Sequence, residues 1–200
     1  MQYIDKKLGM PSEIAKWINK NKPKKWNLSQ DYRDGYDILC AQLRQEQYGL
    51  CCYCCRPLQS QVTIEHLKSR DKHTKLTFDY YNLLVSCKEP KQCDSAKGNQ
   101  DIALTPLMTE CDDELNINLA GELIANTDRA KEAITILNLN NETLCGKRRR
   151  MIDNIKFTFD TTKLVPPIAI LDKATLTMML DSLADTPEYY AFLYVLNKLG

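Results

Sequence analysis

Six cysteines packed between Cys51 and Cys93 constrain this chain more than any other feature. Cys51 and Cys54 form one C-x2-C pair, and Cys87 and Cys93 form a second pair further along. A tight turn lets two sulfurs reach one ion together, and two such pairs supply the four thiolates that tetrahedral zinc takes. A site of that kind has no open position for water. Its role is structural, clamping residues 51–94 so that the polar side chains between the pairs are held in place. Cys52 and Cys55 also spell C-x2-C, which leaves two registers for the first knuckle. We take Cys51 with Cys54, which sets Tyr53 between the ligands. The second spacing, C-x5-C, is longer than usual for a knuckle. Two readings compete with zinc: reduced thiols that are merely buried, and a redox CxxC pair. So many cysteines in so short a stretch are hard to assign to packing, and no thioredoxin-like strand–helix context surrounds them. Cys40, Cys111 and Cys145 stand apart and read as small core residues.

The compartment follows from the same residues. The N-terminus lacks the apolar stretch of a signal peptide, so a cytoplasmic protein is expected, in which clustered cysteines are tested as metal ligands before disulfides. The longest apolar runs, Leu83 to Val85 and Ile168 to Leu171, are far too short to span a bilayer. With 200 residues, 44% of them hydrophobic and 26% charged, the chain has the length of one domain or of one core with extensions. A formal net charge of +1 excludes a protein that coats nucleic acid by charge alone, so any phosphate binding must be local. Lys16, Lys20, Lys22, Lys24 and Lys25 crowd one segment and Lys147 to Arg150 another. Both read first as solvated faces.

Hydrophobic spacing predicts helices on both sides of the cysteine region. Pro11-Ser12 opens a helix carrying Ile14, Trp17 and Ile18, closed by Pro23. A second from Ser29 carries Tyr32, Tyr36, Leu39 or Cys40, and Leu43, with Gly49 as its stop. Gln61 to Glu65 reads as a short strand, and residues 67–80 as a polar surface loop. Leu115 to Leu119, Gly121 and Leu123-Ile124 read as a strand, a turn and a return strand. Thr127 caps a helix with Ala130, Ala133, Ile134 and Leu137 inward, and Asn141 starts another with Leu144, Met151, Ile152, Ile155 and Phe159 on one stripe. Pro166-Pro167 breaks the chain. Two further helices are expected, one through Leu176, Met179, Leu180 and Leu183, and one opened by Thr186-Pro187. The organisation expected is an N-terminal helical flank (1–50), a cysteine-bounded core (51–100) and a mainly helical C-terminal region (101–200).

Between and around the cysteine pairs stand Glu65-His66, Tyr81-Asn82-Leu83 and Cys93-Asp94-x2-Lys97-Gly98. In this order and spacing, with Cys51-x2-Cys54 ahead and Cys87 between, they resemble the HNH endonuclease motif with its zinc-binding embellishment. Gln45-Glu46-Gln47-Tyr48-Gly49-Leu50, Glu65 in place of the commoner Asp, and Leu137-Asn138-Leu139-Asn140 with Leu144 are similar to one subgroup, the PtuB-like proteins of retron and Septu antiphage systems. The resemblance runs over roughly residues 1–155, and no motif marks the remainder.

The resemblance implies an α+β fold: a small zinc-stapled ββα-metal core inside helical flanks. It implies structural Zn²⁺ on Cys51, Cys54, Cys87 and Cys93, and a catalytic Mg²⁺ or Mn²⁺ held by Glu65 and Asp94. It implies His66 as the base, Asn82 as the residue that orients it, and Lys97 as a phosphate contact. The residue types suit that chemistry. Phosphodiester hydrolysis needs a water made nucleophilic and a cation facing the phosphate, and an imidazole titrates near neutral pH. The chain departs from the family at Asp94, where His or Asn is usual; two carboxylates suit a hard ion. His73 reads as an exposed loop residue.

Implied partners are nucleic acid, DNA or RNA, and an ABC/SMC-like (PtuA-like) ATPase, with retron RNA or DNA reached through that complex, and no membrane. A non-catalytic zinc-ribbon module that binds nucleic acid or protein is the alternative. It explains the cysteines and basic clusters but not Glu65-His66, Asn82 and Asp94 together. A redox or metal sensor built on the surplus cysteines is a third.

Overall fold

The computed structural model describes residues 1–160 and 185–199. Helix α1 (Ser12–Asn21) begins behind Pro11, buries Ile14, and stops where Lys22 turns left-handed just before Pro23. The second expected helix is two: α2 (Leu28–Asp31) and α3 (Arg33–Glu46). Tyr32 breaks them with an extended backbone, φ −152°, and its ring stacks on Trp17 at 5.9 Å between centroids. Gly35 makes room, since a Cβ there would lie 2.3 Å from the Tyr32 ring. Periodicity alone does not show such a break, because the residues on both sides keep the helical stripe. Helix α3 ends before Gly49, whose positive φ of 71° lets its N–H return to the Arg44 carbonyl at 2.8 Å.

Strands β1 (Val62–His66) and β2 (Leu83–Cys87) pair antiparallel, with Val62 opposite Cys87 and His66 opposite Leu83. Every residue of β2 is buried, which fits its continuous apolar run. Gln47, just past α3 and 1% exposed, treats β2 as a third strand would. Its Nε2 donates to the Val85 and Leu50 carbonyls, each at 2.8 Å, and its Oε1 accepts from the Val85 N–H at 2.7 Å. One carboxamide thus fixes the hairpin to the helix that feeds the first knuckle. A single helical turn, α4 (Asp94–Lys97), follows the hairpin.

Another turn, α5 (Cys111–Glu114), leads into β3 (Leu115–Ile117) and β4 (Leu123–Ala125), a second antiparallel pair as expected. Thr127 caps α6 (Asp128–Ile136), its hydroxyl accepting from the Ala130 N–H, and Asn141 does the same for α7 (Glu142–Asp160) through the Leu144 N–H. Thr186 with Pro187 opens α8 (Pro187–Lys198). The expected break at Pro166-Pro167, the helix through Leu176 and Leu183, and the side chains of Ile155 and Phe159 fall outside the described residues. The described residues are therefore mixed helix with two small antiparallel sheets. One buried cluster runs from Ile14 and Leu39 through Tyr53 and Leu84 to Leu137, Leu144 and Tyr194. Among the described residues no helix is long and apolar enough to cross a membrane.

Candidate metal centre and the polar site beside it

The sulfurs of Cys51, Cys54, Cys87 and Cys93 lie within 4.8 Å of one another, all on buried residues. Four thiolates on zinc at about 2.3 Å would stand roughly 3.8 Å apart in a tetrahedron. The quartet needs only a slight contraction to fit, and it can hold a zinc ion. Cys52 and Cys55, though buried, lie outside the quartet, so Cys51 and Cys54 are the pair that shares it. The turn between them is shaped by backbone bonds: the Cys55 N–H reaches the Cys51 carbonyl, and the Cys52 N–H reaches Val85 on β2.

Donors already point at the sulfurs. The Cys87 N–H is 3.3 Å from the Cys51 sulfur, and the Gln92 amide is 3.6 Å from that of Cys87. Burial opposes ionisation of Cys51, yet hydrogen bonds from the neighbouring thiols outweigh it and hold its pKa well below the ordinary thiol value. Cys54 and Cys93 are instead pushed well above it, chiefly by Cys51, so without a cation the quartet resists carrying several negative charges. The second knuckle is docked from far along the chain. Cys93, in a left-handed backbone, donates its N–H to the Leu137 carbonyl at 2.9 Å, and the Asn138 amide donates to the Lys91 carbonyl at 2.7 Å. That is the work of the Leu137-Asn138 motif.

Beside the quartet the polar residues converge. Tyr53, fully buried between the knuckle cysteines, donates its hydroxyl to Glu65 Oε1 at 2.8 Å. The Lys97 ammonium lies 2.8 Å from the same oxygen and 3.0 Å from the His66 carbonyl. Lys97 is 1% exposed, so its position does not suit the expected phosphate contact: the stem threads under the hairpin and the charge is used on Glu65. Asp94, half-buried, is near enough for its charge to act on Glu65. Desolvation, helped by the negative Asp94, pushes Glu65 up to about 8, while Lys97 pulls it back. Among the described residues only the cysteine quartet brings three or more metal-ligating atoms together. Glu65 and Asp94 offer a pair of carboxylates; a hard divalent ion completes its shell with water, so a pair suffices only if Lys97 yields Glu65.

His66, 6% exposed, ends β1. Its Nε2 is 3.0 Å from the Thr77 carbonyl, which can only accept, so Nε2 carries the proton and Nδ1 keeps its lone pair. Trp26 meets the ring edge-on at 4.6 Å and 86°, and Phe78 packs against Trp26 at 5.3 Å. Desolvation lowers the His66 pKa to about 4, with exposed Arg70 contributing in the same direction. Asn82 makes no hydrogen bond to the ring. Its Oδ1 accepts from the Lys68 N–H at 2.7 Å, its Nδ2 donates to the Lys68 and Leu76 carbonyls at 3.0 Å, and its carbonyl accepts from the Leu67 N–H. It closes the loop whose far end, Thr77, holds the histidine. His73 is half-buried rather than exposed, with Nε2 3.1 Å from Asp101.

Tyr53, Thr77, Trp26 and Gln47 escaped the sequence reading. Tyr53 carried a signal as the residue enclosed by two ligands, and Gln47 as part of the Gln45-to-Leu50 string. Neither any known protein family nor any curated protein matches this chain.

Proposed function

We propose that this chain is a metal-dependent HNH-type endonuclease with His66 as the general base. The observation that carries the reading is the state of the imidazole: neutral, fixed through Nε2 to Thr77, and left with a free lone pair on Nδ1. A group so arranged can accept a proton from water, although with a pKa of about 4 it is a weaker base than a near-neutral imidazole. Glu65 and Asp94 are the carboxylates for the Mg²⁺ or Mn²⁺ ion, which would supply charge stabilisation at the phosphate and the leaving oxygen. The hairpin followed by α4 supports a ββα reading of residues 62–97, and the cysteine quartet, with zinc, would fix it. On the resemblance alone, the chain acts in antiphage defence beside an ABC/SMC-like ATPase, on DNA or RNA.

The second reading, a non-catalytic zinc-ribbon module, is favoured by one contact. Lys97 already neutralises Glu65, at the place a divalent ion would need. Cleavage assays separate the two. Purified wild type and His66→Ala are incubated with Mg²⁺ or Mn²⁺ and with single-stranded DNA, duplex DNA and structured RNA, with and without the ATPase. We expect His66→Ala to lose at least about 100-fold of the activity while zinc content stays equal. Equal cleavage by both proteins at equal zinc removes the nuclease assignment.

A further inference from the structure

The basic run at Lys147 to Arg150 does not behave as one solvated face. Arg148 turns inward to the Leu139 carbonyl, 2.8 Å away, and Arg149 pairs with Asp153 at 3.7 Å. Lys147 and Arg150, three apart on one face of α7, instead line a cleft of about 900 Å³. Arg56, Lys88, Glu89 and Glu188 line it too, so the cations arrive from the knuckle exit, the end of β2 and α7. Arg56, mostly buried, is spent within the wall on Glu89 at 3.6 Å and beside Cys54 and Cys87, which leaves three exposed cations facing Glu188. Lys88, Lys147 and Arg150 are exposed and enter no ion pair among the described residues.

Exposed, unpaired cations converging from the end of β2 and from α7 suit a polyanion rather than a compact ligand. The cleft reaches Cys87, opposite Val62, whereas His66 stands at the other end of the hairpin opposite Leu83. Four residue steps of strand separate them, about 13 Å at 3.3 Å per residue. Successive phosphates of one duplex strand rise about 3.4 Å, so that span matches roughly four of them.

We propose that this cleft binds the phosphodiester backbone of nucleic acid away from the reacting bond, holding the flanking strand. The proposal rests on the nuclease reading for the identity of the polyanion. It is tested by binding, in full-length His66→Ala protein without added divalent ion, so that cleavage plays no part. Fluorescence anisotropy of labelled single-stranded and duplex oligonucleotides is followed across a salt series. Adding Lys147→Glu with Arg150→Glu weakens binding by about tenfold or more and lowers the log–log salt slope by roughly two. Glu188→Gln, by removing a carboxylate from the cleft, tightens binding, a gain that misfolding cannot produce. Unchanged affinity and slope in the charge-reversed protein overturn the proposal. So does loss of poly-glutamate binding with nucleic-acid binding intact, which would make the cleft a dock for acidic protein segments. Failure of the nuclease reading appears separately, as cleavage that survives His66→Ala.

Discussion

Burial gives His66 an acid–base behaviour unlike that of a solvated imidazole. Removal from water costs the charged form more than the Thr77 hydrogen bond returns, so the ring stays neutral down to about pH 4. The base is then available throughout the neutral range, and the acid limb of the cleavage profile should bend near pH 4 rather than near 6.5. Stability carries the same signature. Between about 6.5, the unfolded value, and about 4 the unfolded chain binds a proton that the native chain refuses, so stability falls as the pH drops through that window. Glu65 acts in the opposite sense: the native chain keeps a proton that the unfolded chain releases from about 4.5 upward, so this contribution is full below about 4.5 and is lost as the pH rises from there to about 8. Urea midpoints of wild type and His66→Gln, measured from pH 7 downward, isolate the histidine: wild type should lose stability more steeply. Identical slopes would mean that the ring is solvated. At this scale the sequence named candidate residues but not what they touch. Lys97 has the same place in the chain whether its ammonium meets phosphate or Glu65, and only the packing of α4 under the hairpin decides.

The loop between the two strands of the hairpin depends on one side chain. Asn82 spends three hydrogen bonds on Lys68 and Leu76, and it is 5% exposed, so its removal strands buried backbone groups at about 1–3 kcal/mol. Asn82→Ala should speed amide exchange across residues 67–77 while β1 and β2 keep their protection and zinc content is unchanged. Loss of protection in the strands as well would show that Asn82 supports the hairpin itself and not the loop. Elements with a chemical signal at their ends were legible: Thr127, Asn141 and Thr186-Pro187 each cap the helix expected of them. The break between α2 and α3 was not. A helix interrupted by a tertiary contact, here Tyr32 on Trp17, leaves the apolar period intact on either side.

The whole molecule is organised around the quartet of thiols. Structural zinc in small sites contributes about 10–16 kcal/mol, comparable to or larger than the roughly 5–15 kcal/mol by which a domain is stable. One equivalent of zinc per chain is therefore expected. Stripping it with a chelator, or making Cys93→Ser, should abolish the near-ultraviolet circular dichroism of Tyr53 and its neighbours and lower the thermal midpoint. Metal-free protein that retains both would show that the thiols are only packed. The frame itself was readable because each pair is local. Gln47, Leu137 and Asn138 stood in strings that carry the resemblance, but their contacts with the frame span distances that no periodicity records.

Those distant bonds bear on what can be moved between proteins. A fragment limited to residues 51–100 would keep all four sulfurs, yet it would forfeit the carboxamide that binds Val85, the carbonyl that receives the Cys93 N–H and the amide that caps Lys91. The motif can be copied as a string, but it is not a portable cassette. Its smallest transplantable unit extends at least from Gln47 to Asn138.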